Sequence, residues 1–439
     1  MILTNLSIIE DLKNFLSAVA QTPQLLTHFR QSNKDFTRNR KLPFDRLVLL
    51  IAKLCKKTLS LEIERFFDEL NVALPCSVSA FTQQRMKLNA CFFYFWNNML
   101  CYSFYKHYGN QIKRWRNYRV VAADGSTISL INTPTLENYF GGQINQHASF
   151  VLGKTYYCYD VLNELILLPR LSPYRYSEVE MAYDSMDSLK PDMLMIYDRN
   201  FCNYKMAALH LWREKEIKFV IRAKETQLVI RSFIQSGKSS DTVLLYPGPP
   251  AIEGLRKSGF VITKDTALRV RLVRVCLPDT VEVLMTNLWE EEGYPSEEFK
   301  DIYFMRWGIE TNIGFQKNVL QLESFSGLTP HAVLQDFYAT AFITNLHSLL
   351  IKDAQQTADT FTHRKHPVKI NKNKSLGRLK NELVNLFIAC DAIVVLQTLT
   401  NRFIKDVIPI RKGRQFERIR KNIKSATKFR TYSNFKPSY

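Results

Sequence analysis

Nowhere do the 439 residues approach the ~18–20 consecutive apolar side chains of a membrane-spanning helix, so no membrane-spanning segment is expected. The start, MILTNLSIIEDLKNF, carries Glu10 and Asp11 where a signal peptide would hold an uninterrupted apolar core. Eight cysteines (55, 76, 91, 101, 158, 202, 276 and 390) are scattered without a CxxC pair. That argues against a disulfide framework and against a structural zinc site, and it suits a reducing cytosol. The eight histidines include no HExxH and no other metal-ligand spacing. No internal repeat is visible. Acidic residues become scarce towards the end: residues 364–439 hold 19 Lys+Arg against 4 Asp+Glu, a net charge of +15.

Over the whole chain, 60 Lys+Arg against 41 Asp+Glu give +19, so nearly all the excess sits in the last sixth of the sequence. A composition 46% hydrophobic and 12% aromatic can bury real cores, which excludes a disordered basic protein. Such an excess of positive charge answers a polyanion, either a nucleic acid or an anionic membrane surface. A solubilising tail is the plainer alternative.

Residues 1 to about 115 read as helical, because apolar side chains recur at three and four in FDRLVLLIAKLCKK and LSLEIERFFDEL. The stretch LSLEIERFFDELNVALPCSVSAFTQQRMKLNA has the rhythm of helix, break, helix, with Ser77 or Ser79 as the second cap. That second helix offers Thr82, Gln83, Gln84, Arg85 and Lys87 to base edges and phosphates. Helix-turn-helix and ordinary helical bundle both fit.

From Tyr118 the pattern changes to strands. RVVAADGSTISL is an apolar run broken at Asp124-Gly125-Ser126, and YYCYDVLNELILLPRLSP reads as two strands joined at Asn163-Glu164. SEVEMAYDSMDSLK follows as a helix, DMLMIYDRNF as a buried strand ending at Asp198, and NYKMAALHLWREKE as another helix. That order indicates an α/β sheet covered on both faces. Residues 217–289 are rich in strand signals (IKFVIRAK, QLVIRSFI, DTVLLYP, LRVRLVRVCLP, TVEVLMTNL), with PGPPAIEG and TKDTA as loops, and read as an inserted β-rich unit. Helical periodicity resumes at YPSEEFKDIYFMRWGIETNIGFQKNVLQL, with Ser296 as its cap, and again after Pro330.

Three acids stand out. Asp124 and Asp198 each follow an apolar strand, where ligands of open α/β sheets gather, although an acid there can also simply cap a turn. The third, Glu310, has company. On a helix turning 100° per residue, Arg306, Glu310 and Lys317 lie at about 300°, 340° and 320° from Tyr303, so all four share an arc of about 60°. A solvated stripe of ion pairs would account for that face, but only Arg306–Glu310 has the i,i+4 spacing, and Trp307 beside it is less expected on a wet surface.

Tyr303-x2-Arg306-x3-Glu310-x6-Lys317, in YFMRWGIETNIGFQK, resembles the signature of the insertion-sequence-four family of bacterial DDE transposases. Asp124-Gly125-Ser126 resembles that family's first aspartate block, and Tyr197-Asp198-Arg199-Asn200-Phe201 its second. LMTNLWEEEGYPSEEFKDIY and LQLESFSG resemble what precedes and follows the glutamate. The resemblance spans roughly residues 115–350.

It implies an α/β fold with a ribonuclease H-like catalytic core and an inserted β-rich domain, preceded by a helical N-terminal domain. The implied divisions are 1–115 (helical, DNA-binding), 116–216 and 291–363 (core), 217–290 (insert) and 364–439 (basic C-terminal region). Asp124, Asp198 and Glu310 would bind two Mg²⁺ ions, for which Mn²⁺ could substitute. Hard cations of this kind take carboxylate oxygens and keep positions open for phosphate. No protein nucleophile is needed, in keeping with the lack of a Ser/His/Asp or Cys/His arrangement.

Tyr303, Arg306 and Lys317 would hold phosphates of the terminal nucleotides. Trp289 and Trp307 are equal candidates to stack a flipped base, each with burial as the alternative. The implied activity is cut-and-paste transposition: cleavage at inverted-repeat ends and joining of 3′-hydroxyls to target DNA, by a homodimer in the synaptic complex, in a bacterial cytoplasm at the nucleoid. A catalytically inactive or domesticated DNA-binding protein is one alternative, and a ribonuclease H-like DNA nuclease without strand transfer another.

In the tail, RKGRQFERIRKNIKSATKFRTYSNFKPSY interleaves Arg411, Lys412, Arg414 and further basic residues with Phe416, Phe429, Tyr432, Phe435 and Tyr439. Cations for phosphates with aromatics between them suit an arm that tracks DNA. Deleting residues 411–439 is therefore expected to weaken binding to end DNA and flatten its salt dependence. Binding isotherms between 50 and 200 mM salt, concentrations at which such slopes are resolved, check this, and an unchanged slope refutes it.

Overall fold

The computed structural model describes residues 2–38, 40–144, 149–278, 280–360, 365–411 and 413. These fall into two compact units. One comprises the described residues of Met1–His107, Asn318–Gly327 and Tyr338–Tyr439, and the other those of Tyr108–Lys317 and Leu328–Phe337. No helix among the described residues is long and apolar enough to cross a membrane.

The first unit is built from helices, including Ile2–Gln21, Phe44–Ala52, Leu59–Glu69, Val78–Arg85, Lys372–Ile388 and Ala392–Lys405. Ile8, Ile9, Leu12, Leu16 and Val19 put the apolar stripe of the first helix inside. Trp96, fully buried, stacks on Phe342 with ring centroids 3.9 Å apart and planes at 11°. The helix–break–helix rhythm is present, and Ser77 is the cap: its Oγ accepts from the Ala80 amide at 3.1 Å.

The second unit carries a nine-stranded mixed sheet. Its strands are β1 (Arg119–Ser129), β2 (Gly142–Ile144), β3 (Ser149–Asp160), β4 (Leu165–Pro173), β5 (Met193–Tyr197), β6 (Lys218–Arg222), β7 (Ser240–Leu245), β8 (Leu268–Cys276) and β9 (Val281–Thr286). Spatial order is β2-β3-β1-β5-β6-β9-β8-β7, with β4 paired to β3. The three central neighbours β1, β5 and β6 run parallel, with Val120 opposite Leu194 and Ala123 opposite Tyr197. Their buried stretches, Val120–Ala123, Met193–Tyr197 and Phe219–Ile221, are apolar because both faces are covered there. The β3–β4 hairpin turns at the expected place: Asn163 binds the Asp160 carboxylate through its amide and side chain, and Glu164 takes the left-handed φ of 57°.

Three local expectations change. The strands of 217–290 do not form a sheet of their own; β6 pairs with β5 and β9 with β6, so the hydrogen-bond ladder of the core runs straight on. QLVIRSFI is no strand but the helix Leu228–Ser236, burying Ile230 and Phe233 three residues apart and ending at Gly237 with φ 74°. The loop PGPPAIEG opens another helix, Pro249–Lys257, whose prolines occupy first-turn positions where no backbone donor is needed.

The signature segment is also not one helix. Phe299–Phe304 and Trp307–Asn318 are separate, with Met305 and Arg306 in a turn closed by the Arg306 amide on the Tyr303 carbonyl at 3.0 Å. Ser296 lies outside both; its hydroxyl accepts from Arg271 at 2.9 Å, one of several acceptors that satisfy this buried guanidinium. Phe299, Ile302 and Tyr303 pack on the sheet face formed by Val120, Leu194, Ile196 and Val220. That single contact brings the signature to the ends of the parallel strands.

Candidate active site

Side chains alternate between the faces of a strand, so residues 120, 122 and 124 of β1 share one face, as do 194, 196 and 198 along β5. Val120 and Leu194 pair, and the ladder ends with Ala123 opposite Tyr197. Asp124 and Asp198 are therefore the next residues on neighbouring parallel strands, which lie about 4.8 Å apart, and they emerge on the face where Phe299–Phe304 packs.

Asp124 is half-buried and accepts from the Gly125 amide at 2.8 Å. Burial pushes its carboxyl up to about 6; the Gly125 amide and Arg306 oppose that rise, while Glu178 and Asp198 add to it. Asp198 caps the short turn Arg199–Phe201 by accepting from the Asn200 amide. It thus plays the plain capping role and stands beside Asp124 as well.

Glu310 joins this pair through Arg306. The guanidinium lies 2.7 Å from Glu310 Oε1 and 4.0 Å from Asp124 Oδ2. Its side chain is only 9% exposed, yet its Nε has no hydrogen-bond partner among the described residues. Lys317 reaches the other end of the cluster, its Nζ donating to Ser126 Oγ at 2.6 Å and the Thr127 carbonyl at 2.7 Å. Tyr303 belongs to the core rather than to a phenol-bearing face: it is 8% exposed and burial pushes its hydroxyl up to about 12. Arg306 sits 5.7 Å from its ring and 5.3 Å from that of Trp307.

The two tryptophans differ. Trp307 is 54% exposed, whereas the Trp289 ring is covered by the Arg269 guanidinium at 4.3 Å. In the other unit Arg85 is buried, its guanidinium bonded to Ser326 at 2.9 Å and 5.3 Å from the Phe81 ring. It therefore faces inward, because a short helix packed on its neighbours must turn one side into the core. Lys87 lines a hollow with Arg40 and Lys41, and an adjoining one with Lys34 and Arg38. Arg411 is exposed, while Lys412 and Arg414, like nearly all of the basic tail, lie outside the described residues.

Glu178 was not among the residues expected from sequence. It is the first residue of the helix Glu178–Ser185, and it lies 3.7 Å from Lys154 and against Gly125. Burial raises its carboxyl, Lys154 offsets that, and Asp198 adds repulsion. The only sequence signal was the cap motif Ser177-x-x-Glu180 just around it, which marks a helix start and not a site.

Among the described residues no group of three His, Cys, Asp or Glu side chains converges as a ready metal cage. The donor chemistry nevertheless fits a hard divalent cation, since the acids offer only carboxylate oxygens and a guanidinium already holds positive charge between Asp124 and Glu310. The carboxylate oxygens that such an ion would need are those of Asp124 and Asp198 at the adjacent strand ends and of Glu310 beyond Arg306, whose Nε has no hydrogen-bond partner among the described residues.

A family model described as "Transposase DDE domain" matches residues 115–346, more than half of the chain. No curated protein matches. Among solved structures, the chain is similar to the piggyBac transposase synaptic complex with hairpin DNA, at 10% identity and a TM-score of 0.40, over 92% of this chain and 81% of the other.

Proposed function

The chain belongs to the transposase DDE domain family, and from that premise we propose that it is the transposase of an insertion sequence, cutting at transposon ends and joining the 3′-hydroxyls to target DNA. The finer assignment, to the insertion-sequence-four branch, rests on the spacing Tyr303-x2-Arg306-x3-Glu310-x6-Lys317. The observation that carries the reading is the pairing of Asp124 with Asp198 at the ends of adjacent parallel strands, with Glu310 tied to Asp124 through Arg306. Two acids brought to adjacent strand ends from distant segments are hard to explain by stability, because like charges brought together repel.

Mg²⁺ ions held by Asp124, Asp198 and Glu310, or Mn²⁺ in their place, would supply Lewis acidity to the attacking water or 3′-hydroxyl and to the departing oxygen. The chain's own residues bind and orient. Arg306 presents an unpaired Nε–H from a side chain lying beside the Tyr303 and Trp307 rings, a donor suited to a phosphate oxygen. Since that guanidinium also neutralises Glu310 and Asp124, a phosphate that draws it away leaves both carboxylates free for cations. Trp307, exposed beside Arg306, offers the better stacking surface for an unpaired base than the covered Trp289.

Lys317 serves by fixing the end of β1 through Ser126 and Thr127. Phosphates of a longer DNA segment suit the basic hollows around Lys87, Arg40 and Lys41, and the basic tail extends that attraction. A homodimer follows from the chemistry, because two ends must be held together.

The test is strand cleavage by the full chain on labelled DNA carrying the sequences that flank its gene. With Mg²⁺ we expect nicks at the end and products joined through the 3′-hydroxyl, and with EDTA neither. Cleavage undiminished by EDTA overturns the reading.

A further inference from the structure

Exposed cations elsewhere in the chain find carboxylates: Lys257 lies 2.6 Å from Glu253, and Arg116 lies 2.7 Å from Glu298. Five cations of the helical unit do not. Lys34, Arg38, Arg40, Lys41 and Lys87 line two adjoining hollows, and among the described residues none of them is paired with an acid. We infer that these hollows grip the phosphates of double-stranded DNA while the helix Val78–Arg85 beside them reads its bases. The inference rests on the transposase reading above and deepens it, by naming where the end DNA is recognised.

The cations are placed by a loop whose shape the fold dictates. The Gln31 amide donates to the Lys87 carbonyl at 2.9 Å and the Asn89 amide to the Phe29 carbonyl at 2.8 Å, so residues 29–31 run beside the chain leaving that helix. Phe36 takes the left-handed φ of 57°, which is costly for a bulky residue, and its ring packs edge-on against Phe44 at 5.4 Å. Such strain persists only where the surroundings over-determine it. Lys34, Arg38, Arg40 and Lys41 are exposed on this loop.

The chain supplies these charges with neutral partners only. Lys41 Nζ donates to the Pro75 carbonyl at 3.3 Å and Lys87 Nζ to Gln84 Oε1 at 3.0 Å. Asp35 is the one acid among the described residues lining the hollows, and its carboxylate accepts from the Ser32 amide at 2.9 Å. The hollows enclose about 470 and 450 Å³. A water molecule takes roughly 30 Å³, so each has room for a run of backbone rather than a single ion. A concave surface of five like charges stores a repulsion that a polyanion relieves.

The helix supplies what phosphates cannot: a means of telling sequences apart. Phe81, Gln84 and Arg85 face inward. Ser79, Thr82, Gln83 and Met86 are left exposed, at spacings of three, four and seven that share one side of a helix. That side carries hydroxyls, an amide and a thioether, and no charge. Gln83 donates to Ser79 Oγ at 3.3 Å and edges the hollow that holds Arg40 and Lys41. Neutral hydrogen-bonding groups bordered by cations match a DNA groove, where base edges lie between rims of phosphate, and an amide can pair with adenine through two hydrogen bonds. A membrane surface would instead ask for an apolar face at that position.

The experiment measures fluorescence anisotropy with the full chain in EDTA, between 50 and 200 mM salt, concentrations at which such slopes are resolved. The probes are a duplex carrying the sequences that flank the gene and a scrambled duplex of equal length. All substituted side chains are exposed, and folding is checked by circular dichroism. Arg38→Ala/Arg40→Ala is expected to weaken both duplexes alike, by about tenfold or more, and to reduce the salt slope by roughly two. Gln83→Ala is expected to weaken the flanking-sequence duplex by about tenfold and to leave the scrambled duplex and the slope unchanged.

Wild-type affinity and slope in Arg38→Ala/Arg40→Ala overturn the grip on phosphates. A Gln83→Ala protein that keeps the wild-type preference between the duplexes, or a wild type without one, overturns the readout. A double variant that loses binding to phosphatidylserine vesicles but not to DNA gives the hollows to a membrane and overturns both. If the expected DNA effects appear in a chain that cuts no strand with Mg²⁺, the transposase reading fails and this surface stands.

Discussion

Glu310→Gln is expected to lower Mg²⁺-dependent strand cleavage by roughly a thousandfold or more, about 4 kcal/mol of transition-state stabilisation, while DNA binding changes little. The substitution keeps the shape of the side chain and removes its charge, so a hard cation loses an anionic ligand. It also frees Arg306 from the 2.7 Å contact with Glu310. That pair is more than one-third exposed on the glutamate side, so its loss should cost at most about 1 kcal/mol in stability. A fold defect is therefore not the expected cause of the lost activity. Single-turnover cleavage of labelled end DNA, with binding measured in parallel, separates the two. Activity within tenfold of wild type removes Glu310 from the catalytic set. Asp198→Asn should lose cleavage equally, but it also alters the cap of the turn Arg199–Phe201, which makes it the less clean variant.

Asp124→Asn is expected to abolish cleavage and, in the absence of metal, to stabilise the protein at pH 7 by up to about 3 kcal/mol. The sign follows from the direction of the shift. The folded-state pKa is raised from 3.8 to about 6, mainly by burial, with Glu178 and Asp198 repelling and with Arg306 and the Gly125 amide opposing. Between those values the folded state binds more protons than the unfolded state, so stability falls as pH rises from about 4 to about 6 and stays low above. Asparagine has no proton to lose and escapes that penalty. The gain should vanish near pH 4 and be full above pH 6. Urea unfolding in EDTA at pH 4, 5, 6 and 7 measures it, and a variant no more stable than wild type at pH 7 refutes the assignment. A site that is less stable than its neutral substitute is one kept for chemistry, and saturating Mg²⁺ should shrink or reverse the difference.

Much of this was legible in the chain. Apolar strands running into Asp124 and Asp198 needed only local pattern, because a strand buried on both faces must be apolar until it emerges. The helix starts at Ser77 and at Pro330 and the hairpin at Asn163-Glu164 were likewise local matters of capping and turn chemistry. The failures were local ambiguities as well. LVIRSFI is as rich in β-branched residues as a strand, and only the burial of Ile230 and Phe233 three apart makes it a helix. The prolines at 249 and 250 suit a loop and a helix start equally.

The sequence by itself determined which residues could do the chemistry, since carboxylates at strand ends and the Tyr303–Lys317 spacing are properties of short segments. Only the tertiary structure decided which of them meet. The sheet register sets Asp124 beside Asp198, and the packing of Phe299, Ile302 and Tyr303 on Val120 and Leu194 delivers Arg306 and Glu310 to them. That packing also withdrew Tyr303 into the core, Lys317 is spent on Ser126 and Thr127, and within the other unit Arg85 is turned inward onto Ser326. It also brought Glu178 against Gly125 from more than fifty residues away. The reason is physical: a local pattern records what one segment prefers, whereas a site of repelling carboxylates exists only where packing elsewhere in the fold forces distant segments together.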